Sequence, residues 1–336
     1  MFGKAAVINV SAPHYNLGAH KLYDWLSEQG WQVEMLDGDP GVFVYGYDLV
    51  CLSVIFTWHA PIAKEIALRV KANSEVWCGG PGIFSLSNWW KNETGLDSFK
   101  GLDPRLDKQR GKYRMTFASR GCPVGCYFCI VPQLEGLKFT LDWDFTPAPI
   151  LCDNNLSALP VDFQEHIIKR YQETGTKLAD ANSGFEPRFF NEETYLRWKE
   201  ILRGPWRFAF DEVKEEQAVF DMMQILNGVA SSKKRVYVLI GNEPMEACYE
   251  RLLKVVEWGG EPYCQPVLQL NYLGGPIKTH HDWTEQRLRD FARYANRFLW
   301  KYMSLSEYNN RKNEPPPFRE FEWAKRKPIR KLISAI

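Results

Sequence analysis

Ser119-Arg-Gly-Cys122-Pro-Val-Gly-Cys126-Tyr-Phe-Cys129-Ile-Val-Pro132 sets three cysteines within eight residues, spaced C-x3-C-x2-C, with no fourth cysteine nearby. Thiolates of this kind hold iron–sulfur clusters. Three of them match three irons of a cubic 4Fe–4S cluster and leave the fourth iron open for a substrate or cofactor. Gly125 supplies backbone freedom for the chain to wrap round a compact cluster. A strand-like run, Tyr113-Arg-Met-Thr-Phe-Ala118, lies just upstream, so the loop leaves the end of a strand. A zinc knuckle or a disulfide pair is the alternative. Structural zinc takes four ligands, and no His or Cys is placed to complete the set.

Composition bounds the rest. The chain has 336 residues, 45% hydrophobic and 25% charged, as in a globular protein of two domains or one with an appendage. A net charge of +1 gives no global argument for nucleic acid or an acidic surface. Outside the triplet, Cys51, Cys78, Cys152, Cys248 and Cys264 are scattered, mostly in apolar strand-like runs. They read as reduced core thiols, and with an amino-terminal apolar run too short for a signal peptide the expected location is the cytoplasm. No stretch approaches a membrane span.

Upstream of the cysteine loop, strands are expected at 4–10, 31–36, 47–55 and 75–78. One helix ends near Gly30 and another covers 60–71. This alternation predicts a Rossmann-like parallel sheet over residues 1–98. Residues 83–112 read as a linker and lid-like segment, with the linker proper at 99–112. His14 and His59 read as ordinary loop or helix-start histidines. Over 113–280 the pattern repeats. Strands are expected at 114–118, 150–152, 177–181, 207–210, 235–240 and 264–270, with helices between them. Six such units predict a partial (β/α)6 barrel. Its ligands belong at the carboxyl ends of the strands. Those ends are polar: Asp153-Asn154-Asn155, Asp180 to Glu186 with Asn182 between, Asp211-Glu212, Gly241-Asn242-Glu243, and Gln265. Any one such cluster is turn chemistry as readily as a site; their succession on one rim favours a lined pocket. A carboxyl-terminal part, 281–336, holds an amphipathic helix at 283–302 and a basic tail, Lys325-Arg-Lys-Pro-Ile-Arg330-Lys331, that reads as a solvated face or a phosphate contact.

The cysteine spacing, the preceding Arg120-Gly121 and the aromatic Phe128 resemble the radical S-adenosylmethionine (SAM) superfamily. The resemblance implies that Cys122, Cys126 and Cys129 bind a 4Fe–4S cluster whose open iron chelates SAM. Reductive cleavage of SAM then gives a 5′-deoxyadenosyl radical. It also implies, by motif order, that Asp153, Asn154 or Asn155 meets the SAM amino group and Asp211 the ribose. The fifth strand, Val238 to Gly241 with Ile240, would pack on adenine through its backbone, with Phe128 and Ile130 flanking it. Asp180, Asn182, Glu186, Glu243 and Gln265 remain as SAM or substrate contacts. No general base stands out. An electron donor of flavodoxin or ferredoxin type is implied as a partner.

The domain ahead of the loop, ending Gly79-Gly80-Pro81, resembles the cobalamin-binding domain of one branch of that superfamily. Its Asp-x-His-x-x-Gly ligand motif is absent. Ala12-Pro13-His14-Tyr15-Asn16-Leu17-Gly18 lacks the aspartate and has a different His–Gly spacing. Cobalamin bound without a protein ligand, and a domain that binds none, are both compatible with this, the second preferred. Methylthiotransfer would want a cysteine triplet in the amino-terminal part, where only Cys51 and Cys78 occur. Auxiliary clusters would want cysteines beyond Cys264, and there are none. Open alternatives are cobalamin-dependent methyl transfer, aminocarboxypropyl transfer, nucleic-acid modification and a non-catalytic iron–sulfur protein.

Overall fold

A computed structural model describes residues 3–311 and 314–329. The first strands are β1 (Lys4–Asn9), β2 (Gln32–Asp37), β3 (Leu49–Ser53) and β4 (Glu75–Gly79). They form one parallel sheet in the order β2-β1-β3-β4. The chain winds outward from β1 through α1 (Leu17–Glu28) in one direction. It returns through β3 and winds the other way through α2 (Ala60–Val70). The two helices therefore cover opposite faces, and the hydrophobic core shows it. Ala5, Val7, Leu49 and Cys51 pack with Ala19 and Leu26 of α1. Ala6, Ile8, Val50 and Leu52 pack with Ala63, Ile66, Ala67 and Val70 of α2. A strand buried on both faces reads as a continuous apolar run, as Ala5–Ile8 does. The order of winding reverses between β1 and β3, and open parallel sheets bind ligands in the crevice outside such a point.

After β4 come the short α3 (Pro81–Phe84), α4 (Ser87–Thr94) and α5 (Pro104–Asp107). The linker reading of 83–98 is corrected here. Trp90 is fully buried against the α2 face of the first sheet, so α4 belongs to that core. Its polar neighbours Ser87, Asn88 and Lys91 mask Trp90, beside which Trp89 packs partly buried on the same core. α5 lies against α1, and Arg105 stacks on Trp25 at 4.6 Å.

The remaining strands are β5 (Met115–Thr116), β6 (Ser119–Arg120), β7 (Thr140–Leu141), β8 (Ile150–Leu151), β9 (Asp180–Ala181), β10 (Trp206–Phe210), β11 (Lys234–Ile240) and β12 (Glu261–Pro266). Six of them form two three-stranded parallel sheets, β5-β8-β9 and β10-β11-β12. The Phe185 N–H donates to the Arg207 carbonyl at 2.8 Å and links the two. The short α6 (Val131–Leu134) sits in the cysteine loop. α7 (Val161–Thr174), α8 (Glu192–Trp198), α9 (Glu216–Ile225), α10 (Met245–Glu257) and α11 (Glu285–Asn296) share one core with these strands.

Several boundaries move from expectation, such as the strand expected at 177–181, which is only Asp180–Ala181. β12 starts at Glu261 and ends at Pro266, because Asn296 of α11 holds both Cys264 backbone groups, at 2.7 and 2.9 Å, and fixes the strand there. α11 stops before Phe298, which takes a positive φ of 56°. Of the basic tail, Arg330 and Lys331 lie outside the described residues. No helix among the described residues is long and apolar enough to cross a membrane.

Candidate functional site

The cysteine loop is closed at its base and braced from inside. β6 and β7 pair antiparallel, and the Cys122 N–H donates to the Gly136 carbonyl at 3.2 Å. Gly121 has φ 89°, and a Cβ there would sit 2.2 Å from the Lys138 carbonyl oxygen, so only glycine fits. Glu135 is the hub. It accepts from the Gly121 N–H at 2.9 Å and from Asn154 Nδ2 at 2.6 Å, and pairs with Arg120 at 3.3 Å. Arg120 reaches on to Asp107 of α5 at 3.1 Å and stacks on Phe117 at 3.5 Å. The loop is thereby tied to the segment that joins the two halves of the chain. Nothing in the sequence marks Glu135, since a lone glutamate three residues past Pro132 has no motif.

The three thiols are half-buried. Asn155 Nδ2 approaches Cys122 Sγ at 3.8 Å, and the Cys129 N–H donates to the Cys126 carbonyl at 3.1 Å. Burial first, then the Asp211 carboxylate, pushes the Cys126 thiol up to about 12; burial also raises Cys129. Cys122 and Glu186 add to the field at Cys126. The loop thus collects Cys122, Cys126 and Cys129 with Asn155, Glu186 and Asp211 around them. Among the described residues, no three His, Cys, Asp or Glu side chains converge on a point that would hold a single metal ion.

The structure sorts the remaining candidates. Asp153 is fully buried, its carboxylate accepting from the Ala118 N–H at 2.7 Å and from Ser119 Oγ at 2.5 Å, and it lines neither cavity described below. Asn155 caps the following turn through Ala158 N–H at 3.1 Å, besides meeting Cys122. Asn154 and Asn182 line a cavity, described below. Asp180 is held by Arg207 in a bidentate pair at 2.6 and 2.7 Å. Glu186 pairs with Arg188 at 2.6 Å. Asp211 is pushed up to about 7 by burial and then by Glu215, with Arg251 and Arg188 opposing.

Glu243 accepts from the Val213 N–H at 3.2 Å and pairs at 3.1 Å with Arg251. That guanidinium is buried and also binds the Phe210 and Leu239 carbonyls at the ends of β10 and β11. Ile240 belongs to the run expected to meet adenine through its backbone. Its side chain is in the core and its carbonyl accepts from the Val267 N–H at 2.9 Å. Gly241 takes φ 91° and lies beside Leu288. Gln265 is exposed, opposite Leu239 in the β11–β12 register.

Two cavities flank the loop. One, of about 590 Å³, is walled by Tyr127 and Phe128, with Asn242, Lys278, His280 and His281 opposite. The other, of about 640 Å³, lies between the carboxyl edge of the first sheet and the far side of the loop. His14, Gly18, Ser53 and Gly80 line it from the first sheet, and Ile130 and Asn154 from the loop side. Phe128 lines the first of these cavities and Ile130 the second. His14, expected to be an ordinary loop residue, is at the cavity wall with its ring edge-on to Phe56 at 5.0 Å. His59 Nδ1 is buried without a hydrogen-bond partner.

No family model and no curated protein matches the chain. Among solved structures it is similar to the radical S-adenosylmethionine methyltransferase TsrM from Kitasatospora setae. Against the form with cobalamin and a [4Fe-4S] cluster bound, the TM-score is 0.62 at 13% identity, covering 78% of this chain and 74% of that one. Against the form with tryptophan substrate and the SAM analogue aza-SAM bound, it is 0.61 at 13% identity, covering 79% and 72%. At that identity the likeness is one of fold.

Proposed function

We propose that this chain is a radical SAM enzyme, its barrel-like half built from the two three-stranded parallel sheets. The observation that carries the reading is the cysteine loop itself. Three half-buried thiols and no fourth ligand sit on a braced loop at the carboxyl ends of parallel strands. A cubane suits this donor set because each thiolate binds a different iron, so the sulfurs need not converge on one point. When bound, the cluster supplies the electron that cleaves SAM and so generates the radical that abstracts hydrogen. Asn155 orients Cys122, Glu135 holds the loop's closing turn, and Asp211 and Glu186 set the negative field beside Cys126. The cavity at Phe128 and Asn242 suits the adenosyl group. The electron donor is of flavodoxin or ferredoxin type.

The cavity between the two halves favours a second reading, cobalamin-dependent methyl transfer, because it opens on both the carboxyl edge of the first sheet and the same loop. TsrM was solved with both cobalamin and the cluster bound. In this chain the fit is through the open edge of the sheet, with His14 at its wall and no Asp-x-His-x-x-Gly motif.

The test is anaerobic reconstitution with SAM and a strong reductant, with and without cobalamin, read by mass spectrometry. 5′-Deoxyadenosine supports the first reading. S-adenosylhomocysteine that appears only with cobalamin supports the second. Cys122→Ala, Cys126→Ala and Cys129→Ala are each expected to abolish cleavage with the fold retained by circular dichroism. Full cleavage by any of them would overturn the assignment.

A further inference from the structure

Lys21 is 9% exposed and lines the cavity between the two halves. Its ammonium makes no hydrogen bond and no ion pair among the described residues. The charges that bear on it are Asp107, Arg120, Arg110 and Asp142. Both acids are already engaged: Asp107 with Arg120 at 3.1 Å, and Asp142 with Arg110 at 2.9 Å. Glu135, the other acid on that side, is taken by Gly121, Asn154 and Arg120. Lys21 is mostly buried and makes no direct ion pair, which is costly for a charge, and burial pushes it down to about 8 against the pull of Asp107.

Lys21 also stands one turn inside α1. The first-turn residues Leu17 and Gly18 line the same cavity, and that turn carries no acidic residue, although Asn16 Oδ1 already takes the Ala19 N–H at 3.1 Å. A helix amino terminus favours an anion. Beside the paired Asp107, Arg120 and Glu135, the wall presents apolar side chains, Phe56, Phe117 and Leu134 among them.

We propose that this cavity binds a mainly apolar ligand through one anionic group, phosphate or carboxylate, seated on Lys21 and the first turn of α1. The assignment goes beyond the cluster chemistry and does not pass through it. Two sources share the chemistry: the phosphodiester of a cobalamin, and the anionic group of a substrate.

The experiment uses the full-length reconstituted protein and a matched pair of fluorescent probes. 8-Anilinonaphthalene-1-sulfonate carries the anion, and N-phenyl-1-naphthylamine is its uncharged analogue. Lys21→Met keeps the side-chain stem and removes the charge. It is expected to weaken the sulfonate by about tenfold or more, the scale of a charge-assisted hydrogen bond, and to leave the neutral probe within about twofold. Lys21→Arg is expected to retain most of the sulfonate affinity. Equal loss of both probes in Lys21→Met, or loss of neither, would overturn the proposal.

A second readout needs no variant. Bound sulfonate must protect Lys21 from reductive methylation in peptide mass spectra, and the neutral probe must protect less; equal labelling with and without sulfonate also overturns it. Competition assigns the source. Hydroxocobalamin displacing the sulfonate better than cobinamide, which lacks the phosphodiester, in wild type but not in Lys21→Met, makes the anion the cofactor's. No displacement by hydroxocobalamin makes it the substrate's.

Discussion

Replacing Asp153 with asparagine removes one charge from the base of the cysteine loop and little else. The side chain keeps its shape and an acceptor for the Ala118 N–H, and its amide can donate to Ser119 Oγ. Burial pushes the Asp153 carboxyl from 3.8 up to about 6, against the pull of the Ser119 hydroxyl, the Ala118 N–H and Arg120. The folded chain therefore holds the proton more tightly than the unfolded chain does. The stability this supplies is complete below the unfolded value of 3.8 and is lost as pH rises through about 6. At about 1.4 kcal/mol for each tenfold change in proton affinity, the loss comes to about 3 kcal/mol at neutral pH.

Urea unfolding of the reduced protein, wild type and Asp153→Asn side by side from about pH 4 to about pH 8, isolates that group, since the other titrations cancel in the difference. The variant should start near parity, gain steadily on the wild type up to about pH 6, and level off above about pH 7. A difference that stays flat, or that shrinks as pH rises, would refute the reasoning. Asp153→Ala is the contrast. It strands two buried donors at about 1–3 kcal/mol each and should lower iron retention with stability, which Asp153→Asn should not.

Glu135→Gln retains volume but weakens the acceptor for Gly121 and Asn154 and breaks the Arg120 pair; a loss of about 1–3 kcal/mol and faster iron loss to a chelator are expected, by urea unfolding and absorbance. Arg251→Met leaves the Phe210 and Leu239 carbonyls and the Glu243 carboxylate without their cation. Thermal and urea unfolding should show a cost of about 3–5 kcal/mol.

The spacing of the cysteines and the alternation of apolar runs were legible because each depends on local chemistry. Thiol spacing sets what a loop can wrap, and a strand buried on both faces must be apolar throughout, as Ala5–Ile8 is. The rim was legible only as a set of strand ends. Asp153, Asn154 and Asn155 are adjacent and all polar, yet one is buried under the loop, one braces Glu135 and one meets Cys122. Sequence does not state which way each points, because the loop packed above them decides it. Trp90 was hidden for a related reason. One buried indole in a polar run of eight residues gives no period, though it closes the first core. Lys21 reads as an ordinary helix-surface lysine until α5 and the cysteine loop are placed over α1.

Phe128 and Ile130 stand two residues apart on the loop and open onto different cavities. This separation has a chemical consequence. A group held at the loop between them is within reach of ligands on both sides without those ligands sharing a space. One side is walled by Tyr127 and Phe128 and by the carboxyl end of β11; the other is the edge of the first sheet, with the Lys21 ammonium. The loop's braces lie on the second side, since Arg120, Glu135 and Asn154 all line that cavity. A ligand seated on Lys21 presses on the same residues that fix Gly121, one position before Cys122. Its binding should therefore slow iron loss to a chelator in the wild type, and that slowing should vanish in Glu135→Gln, where the brace no longer carries it. Equal slowing in both proteins would show that the two sides act independently.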